Sequence, residues 1–296
     1  MAKRGAEAFE SYYADLFGGR WPALREALLE AGAPVAYETG LIKAYHLDAA
    51  SVVAAASLGV QPGDRVLDLC AAPGGKSLVL ATALAEAPVG EAPAADGDRG
   101  ELVCNERSSA RRARLHRVLD EHLPEAARAL VRVTPHDAAR WALYEPSSYD
   151  RVLADVPCSS EQHVLQSAGA LAEWSPTRTK RLAKGAYAIA CAAVDSVRPG
   201  GRVVYSTCAL SPEENDGVVR RLLDRGGGTI AAADPQDAVQ AAVARHASLH
   251  PAFAAAAGPH RARRPPGSAT ERGWMFTPDE DAGLGPIYLA VLERSS

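Results

Sequence analysis

Two cysteines are distinguished by what precedes them. Cys158 follows Asp155-Val-Pro157 and Cys208 follows Tyr205-Ser-Thr207, each just beyond a segment that reads as a strand. A thiolate is a nucleophile that forms covalent intermediates. A strand-end carboxylate such as Asp155 could stabilise charge as it develops, its plain alternative being to cap a nearby amide. One such cysteine is most simply a small core residue. Two at adjacent strand ends, one after Asp-x-Pro and one after Ser-Thr, weaken that reading.

The third feature is Leu69-Cys-Ala-Ala-Pro-Gly-Gly-Lys-Ser77. Paired glycines after a buried strand let a ligand approach backbone amides at a helix N-terminus. A P-loop needs glycine five residues before Gly75, where Cys70 stands, and the G-x-G-x-x-G fingerprint is also absent. What remains is a small adenosine-containing cofactor with an acidic side chain at the end of the second strand for its ribose, and Glu106 fits. The plain alternative is that Gly74 and Gly75 only permit a tight strand-to-helix turn.

The elements that must position these residues follow from periodicity and punctuation. Residues 6–31 read as helix, interrupted at Gly18, Gly19 and Pro22. A loop spans Gly32 to Gly40, and Asp48 to Leu58 is helical, closed by Gly59. Strands are predicted at 65–70, 101–106, 130–134, 149–156, 202–207 and 287–292. Helices run from 76 to about 85, from 108 to 122 and from Ser175, an N-cap, and Pro176 to about 197. Ser211, Pro212 and Glu214 read as a capping box opening a helix to about 224. The stretch 86–100 reads as mobile, and 226–273 is Gly, Ala, Pro and Arg rich with weak periodicity. This alternation specifies an open α/β sheet, mostly parallel and flanked by helices, with ligand sites beyond the carboxyl ends of its strands.

In their order and spacing, Asp68-Leu-Cys-Ala-Ala-Pro-Gly-Gly-Lys76, Asp155-Val-Pro-Cys158 and Tyr205-Ser-Thr-Cys208 resemble the Nol/Nop/Sun (NSUN, RsmB-like) family of RNA cytosine-5 methyltransferases. The resemblance covers roughly residues 18–222. Phe17-Gly-Gly-Arg-Trp-Pro22, Leu47-Asp-Ala-Ala-Ser51, Pro157-Cys-Ser-Ser-Glu-Gln-His163 and Gly285-Pro-Ile-Tyr288 are most similar to its mitochondrial rRNA branch, which lacks a PUA domain. Ser160 stands where many relatives have glycine.

The resemblance implies a Rossmann-like class I S-adenosylmethionine-dependent methyltransferase fold. Residues 1–60 would form a short helical N-terminal extension packed on the core, and residues 61–296 the methyltransferase domain. S-adenosyl-L-methionine is the implied cofactor. Cys70, Ala71, Ala72, Pro73, Gly74, Gly75 and Lys76 would form its methionine-side loop, with Glu106 at the ribose, Asp137 on the adenine side, and Arg111 and Asp155 among the binding residues. Cys208 would be the nucleophile and Cys158 its helper in elimination, although the motifs alone leave their order open, since DNA cytosine-5 methyltransferases use a Pro-Cys nucleophile.

Composition sets the remaining bounds. The 296 residues carry 32 Lys+Arg against 36 Asp+Glu, a net charge of −4, so there is no global pull toward nucleic acid. Basic clusters at 107–117, at 178–184 and at Arg261, Arg263 and Arg264 are phosphate contacts or solvated faces. Five cysteines with no C-x-x-C pair argue against zinc and against a disulfide framework. Cys70, Cys104 and Cys191 read as core thiols, while His163 and Trp174 are weak candidates for the flipped base. No targeting segment or membrane span is seen, so a cytoplasmic enzyme is expected, or a mitochondrial matrix one if a presequence was removed. The expected partner is RNA, as rRNA or a ribosomal subunit, aided by a targeting protein, with neither membrane nor metal. The competing readings are a noncatalytic ribosome assembly factor and a tRNA cytosine-5 methyltransferase.

Overall fold

Asp48 begins the part of the chain that carries the site. Its carboxylate accepts from the Ser51 amide at 3.1 Å, and its other oxygen accepts from the Gly285 amide at 3.3 Å. One side chain therefore caps a helix and ties it to a distant loop. The computed structural model describes residues 4–30, 32–86, 100–257 and 265–295. Helices α1 (Ala6–Phe17) and α2 (Trp21–Leu29), separated by a 3-10 turn at Gly18–Arg20, precede a hairpin of β1 (Val35–Tyr37) and β2 (Tyr45–Leu47). The residues read as loop at 32–40 thus contain a strand, too short at three residues for alternation to show. The helix capped by Asp48 is α3 (Ala49–Ala56), whose alanines and valines are almost wholly buried.

The repeating units follow as β3 (Arg65–Asp68), α4 (Gly75–Leu84), β4 (Glu101–Asn105), α5 (Ser109–His122), α6 (Glu125–Arg128), β5 (Val131–Thr134) and β6 (Tyr149–Asp155). Next come α7 (Glu161–Gln166), α8 (Ala168–Glu173), α9 (Pro176–Ser196), β7 (Val197–Thr207) and α10 (Asp216–Gly226). The chain continues through β8 (Ile230–Ala233), α11 (Pro235–Arg245), α12 (Pro251–Ala256), β9 (Ser268–Ala269), β10 (Trp274–Phe276) and β11 (Ile287–Arg294). The main sheet has the order β5-β4-β3-β6-β7-β11-β10-β9, with β8 also on β11. Strands β5 through β7 are mutually parallel and β11 is antiparallel to β7. Val66, Leu67, Leu102, Val103, Val152, Leu153 and Val204 are fully buried, which explains the unbroken apolar runs: helices cover both faces of the sheet.

Several expectations are corrected. Helix α10 starts at Asp216, not after Ser211, because Glu214 is fully buried and accepts from the Ser159 amide at 2.9 Å instead of capping. Ser175 occupies its N-cap position, but its side chain makes no cap bond. Strand β7 begins five residues earlier than expected. The weakly periodic stretch after Gly226 contains β8, α11 and α12, which bury one narrow face each. Cys191 is partly exposed instead of a core thiol. Ala31, residues 87–99 of the stretch read as mobile, and Arg261, Arg263 and Arg264 lie outside the described residues.

Trp174 is fully buried, and its ring packs 5.1 Å from Phe9, 5.4 Å from Tyr12 and 5.8 Å from Tyr13. It is the anchor of α1 and does not contact a base. Trp174→Ala is expected to destabilise the fold by about 3–5 kcal/mol through the cavity it leaves. Urea unfolding followed by circular dichroism measures this, and an unchanged midpoint would contradict the packing role.

Candidate active site

The carboxyl ends of β3, β4 and β5 are bolted together by Asn105. Its amide group donates to the Leu69 and His136 carbonyls, both at 3.0 Å, and its oxygen accepts from Thr134 Oγ1 at 3.1 Å and the His136 amide at 2.9 Å. A buried amide with this many partners is satisfied and fixes one rotamer. Beyond it opens a cavity of about 350 Å³ lined by Cys70, Glu106, Arg111 and Asp137 among others. Glu106 accepts from the Ser108 amide at 2.7 Å. Arg111 lies 3.4 Å from the Glu106 carboxylate and donates to the Ala72 carbonyl at 2.7 Å, bracketing the loop against it. Asp137 caps its own 3-10 turn and faces Arg107 at 3.5 Å. Arg107 and Arg111, read as part of a basic face, are thus engaged here.

A second cavity, about 150 Å³, meets the first at Cys70 and is lined by Ala71, Ala72, Pro73, Gly75, Lys76, Asp68 and Asp155, with Tyr45, Leu47 and Ser51 from the hairpin and α3. A Cβ at Gly75 would lie 2.9 Å from the Tyr45 ring. Gly74 is the exception among the loop residues. Its φ is +122°, and a Cβ there would meet Val118 at 2.9 Å, so it serves close packing on α5 and does not line the cavity. Asp68 is buried, one oxygen accepting from Ser77 at 2.7 Å and the other without a hydrogen-bond partner among the described residues. Burial pushes its carboxyl up to about 7 against the Ser77 bond, and the Asp155 charge adds to this. Burial also pushes the Cys70 and Cys104 thiols up, so both stay protonated.

Strands β6 and β7 are parallel neighbours with Asp155 opposite Ser206, so the loops leaving them emerge side by side. The Cys158 and Cys208 sulfurs lie 2.8 Å apart, and the Cys208 amide donates to the Cys158 sulfur at 3.3 Å. Both cysteines are free and partly exposed. They differ electrostatically. The hydrogen bond from the Cys158 thiol lowers Cys208 despite burial, with a further bond from Ser160; the same bond and burial hold Cys158 well above the ordinary thiol value. Of the two, Cys208 is the thiol that its surroundings lower. Asp155 accepts from Ser206 at 2.7 Å and pairs with Lys76 at 2.9 Å. Burial opposes the Lys76 charge, yet Asp155 and then the Cys208 sulfur hold it above its usual value.

The sequence reading missed the groups beneath the thiols. Glu161 and Glu214 are both fully buried, three residues after Cys158 and six after Cys208. Burial pushes Glu214 up to about 7 against its bond from Ser159. Asn215 accepts from Thr207 Oγ1 at 2.6 Å and donates to the Ala209 carbonyl at 2.9 Å, clamping the residues on either side of Cys208. An acidic residue shortly after each Cys motif is a visible signal, but its burial is not. His163 lies exposed on α7.

Residues 55–253 match the family described as 16S rRNA methyltransferase RsmB/F. The chain is 38% identical over 189 residues to the 5-cytosine rRNA methyltransferase NSUN4 of Bos taurus, covering 62% of this chain and 46% of that protein. It is 39% identical over 193 residues to the mitochondrial tRNA (cytosine(34)-C(5))-methyltransferase of Danio rerio, covering 63% and 48%. The chain thus spans about half the length of these relatives. The structure of NSun6 from Pyrococcus horikoshii with SFG superimposes with a TM-score of 0.60 at 21% identity, over 88% of this chain and 54% of that one, and so shares the fold.

Asp68 has a consequence for stability. Because its folded value is raised from 3.8 to about 7, the folded chain holds a proton that the unfolded chain has already released across that window. Its contribution is therefore full below about pH 4 and is lost as pH rises through 7. Asp68→Asn is expected to flatten this loss, seen as a smaller fall in urea midpoint between pH 5 and pH 8 than in the parent chain.

Proposed function

The chain belongs to the 16S rRNA methyltransferase RsmB/F family, and from that premise we propose that it is an S-adenosylmethionine-dependent RNA cytosine-5 methyltransferase acting on rRNA through a covalent Cys208 adduct. The observation that carries this reading is the pair of free sulfurs 2.8 Å apart at neighbouring strand ends, with Asp155 and Lys76 linking them to a glycine-turn cavity. Cytosine C5 is a poor nucleophile, so covalent activation is what such a pair supplies.

The residues present fit the cofactor. The Asp68 oxygen unpartnered among the described residues and the Asp155 carboxylate give the smaller cavity acceptors for a cationic group, and Gly75 leaves the room beside Tyr45 that a side chain would fill. Residues 70–73, Gly75 and Lys76 would hold the methionine side, Glu106 the ribose and Asp137 the adenine side, with Arg111 keeping Glu106 in place. When bound, S-adenosylmethionine supplies an electrophilic methyl group on a sulfonium sulfur.

In the proposed sequence Cys208 Sγ adds to C6 of the cytosine, and the electron pair displaced to C5 makes that carbon the nucleophile. After methylation the C5 proton passes to Cys158, which acts as base once its own proton has gone to solvent; the C5–H electron pair restores the 5,6 double bond, and the C6–S pair returns to Cys208 as thiolate. Asp155, oriented by Ser206 and Lys76, hydrogen-bonds the cytosine amidine and stabilises charge in the adduct.

We also keep residues 1–60 as an N-terminal extension, helical except for the β1–β2 hairpin, and 61–296 as the catalytic domain. The net charge of −4 supports reliance on folded ribosomal RNA or a targeting protein for binding. The name of the Danio rerio relative favours tRNA as the second reading and the mitochondrial matrix over the cytoplasm. Among the described residues no helix is long and apolar enough to cross a membrane. Retention of both thiols disfavours a noncatalytic assembly factor.

With radiolabelled S-adenosylmethionine and ribosomal RNA or small subunits, the parent chain should form 5-methylcytosine. Cys208→Ala should neither transfer methyl nor crosslink to RNA, whereas Cys158→Ala should accumulate the crosslink. A parent chain inactive on every RNA form would overturn the reading. Separately, Glu106→Ala should weaken S-adenosylmethionine binding about tenfold or more, the loss of a hydrogen bond to a charged group, as read by calorimetry.

A further inference from the structure

Glu161 is an unusual group to find next to a thiol pair. It is fully buried, and among the described residues no cation pairs with it, so its oxygens depend on hydrogen bonds for satisfaction. Three are present, each from a different part of the chain. The Tyr13 hydroxyl of α1 and the Ser159 hydroxyl both donate to Oε1, and the Leu210 amide donates to Oε2 at 2.8 Å. Ser159 directly follows Cys158, and Leu210 lies two residues after Cys208. One carboxylate therefore holds both thiol-bearing loops and the N-terminal helix together. Ser159 is gripped from the other side as well: its amide donates to Glu214, and its carbonyl accepts from Arg178 at 3.0 Å.

We propose that Glu161 is a positioning residue that sets the separation of the Cys158 and Cys208 sulfurs and couples it to α1 through Tyr13. The proposal rests on the reading of the two thiols as the catalytic pair. A residue that only filled space would be replaceable by any isostere. Glutamine preserves the volume but presents an N–H₂ toward the Leu210 amide or toward the two hydroxyls, and so cannot accept all three bonds as they stand. Tyr13 keeps its proton because burial, then the Glu161 charge, raises it well above the ordinary phenol value. It is thus a permanent donor.

The test uses the full chain carrying Glu161→Gln, Glu161→Asp or Tyr13→Phe, with two readouts. One is kcat and KM for methyl transfer. The other is the rate at which diamide, by taking up the two thiol hydrogens, joins Cys158 to Cys208, followed as the crosslinked peptide by mass spectrometry. Glu161→Gln should slow crosslinking and lower kcat about a hundredfold, the scale set by an ångström of misplacement, with KM for S-adenosylmethionine unchanged. Glu161→Asp should recover much of both, and Tyr13→Phe should fall between. A folded Glu161→Gln chain that crosslinks at the parent rate overturns the proposal. Should that variant not fold, parent-rate crosslinking in Tyr13→Phe does so. Absence of methyl transfer by the parent chain would defeat the catalytic reading alone, since the diamide rates report on thiol positioning without it.

Discussion

The contact on which the rest of the site depends is between two sulfur atoms. At 2.8 Å the Cys158 and Cys208 sulfurs are farther apart than in a disulfide bond of roughly 2.05 Å yet press directly against one another. Two loops must be held closely to keep it, and loops have little intrinsic rigidity. The parallel register of β6 and β7 brings the loops together. The carboxylates of Glu161 and Glu214, the side chain of Asn215 and the guanidinium of Arg178 then fix them. Positive charge at Lys76 offsets Asp155 and faces the Cys208 sulfur.

This arrangement carries an energetic cost. Among the described residues, Asp68 and Glu214 each leave a buried oxygen without a hydrogen-bond partner, and burial raises both toward neutrality. Groups of this kind are destabilising unless the surroundings hold them. Here the surroundings are a sheet with both faces covered and an N-terminal aromatic cluster of Phe9, Tyr13, Trp21 and Trp174. The core distant from the reacting atoms therefore sustains the polarity near them, which is how strain and unsatisfied groups persist at functional sites.

Much of this was legible beforehand, for identifiable reasons. A parallel strand buried on both faces leaves an uninterrupted apolar run, so β3 through β7 announce themselves, and the Gly-Gly turn marks the passage from β3 to α4. Cys70, Glu106, Asp137, Asp155 and the thiols fall where strand ends would put them; the first four line the two cavities and the two thiols do not. The misreadings come from tertiary competition. Ser211-Pro212-x-Glu214 has every local mark of a helix start, but Ser159 claims the glutamate. Trp174 reads as an available aromatic until α1 folds over it. Gly74 reads as a ligand contact, whereas Val118 needs the space. Glu161 is the most instructive case, because nothing in its neighbours along the chain indicates that Tyr13 and Leu210 will converge on it.

The placement of β11 bears on the order in which the molecule assembles. Strand β7, which ends at the Cys208-bearing loop, is paired on one side with β6 but on the other with β11, far along the chain. Closing that pairing requires the intervening segment to be looped out, an entropic cost borne before the contact returns anything. A nascent chain holding only residues up to β7 therefore presents an apolar strand with one open edge, the kind of surface that invites intermolecular pairing. The half of the sheet that carries the two cysteines is thus sealed late, and the interval before sealing is when this protein most needs protection from its own copies.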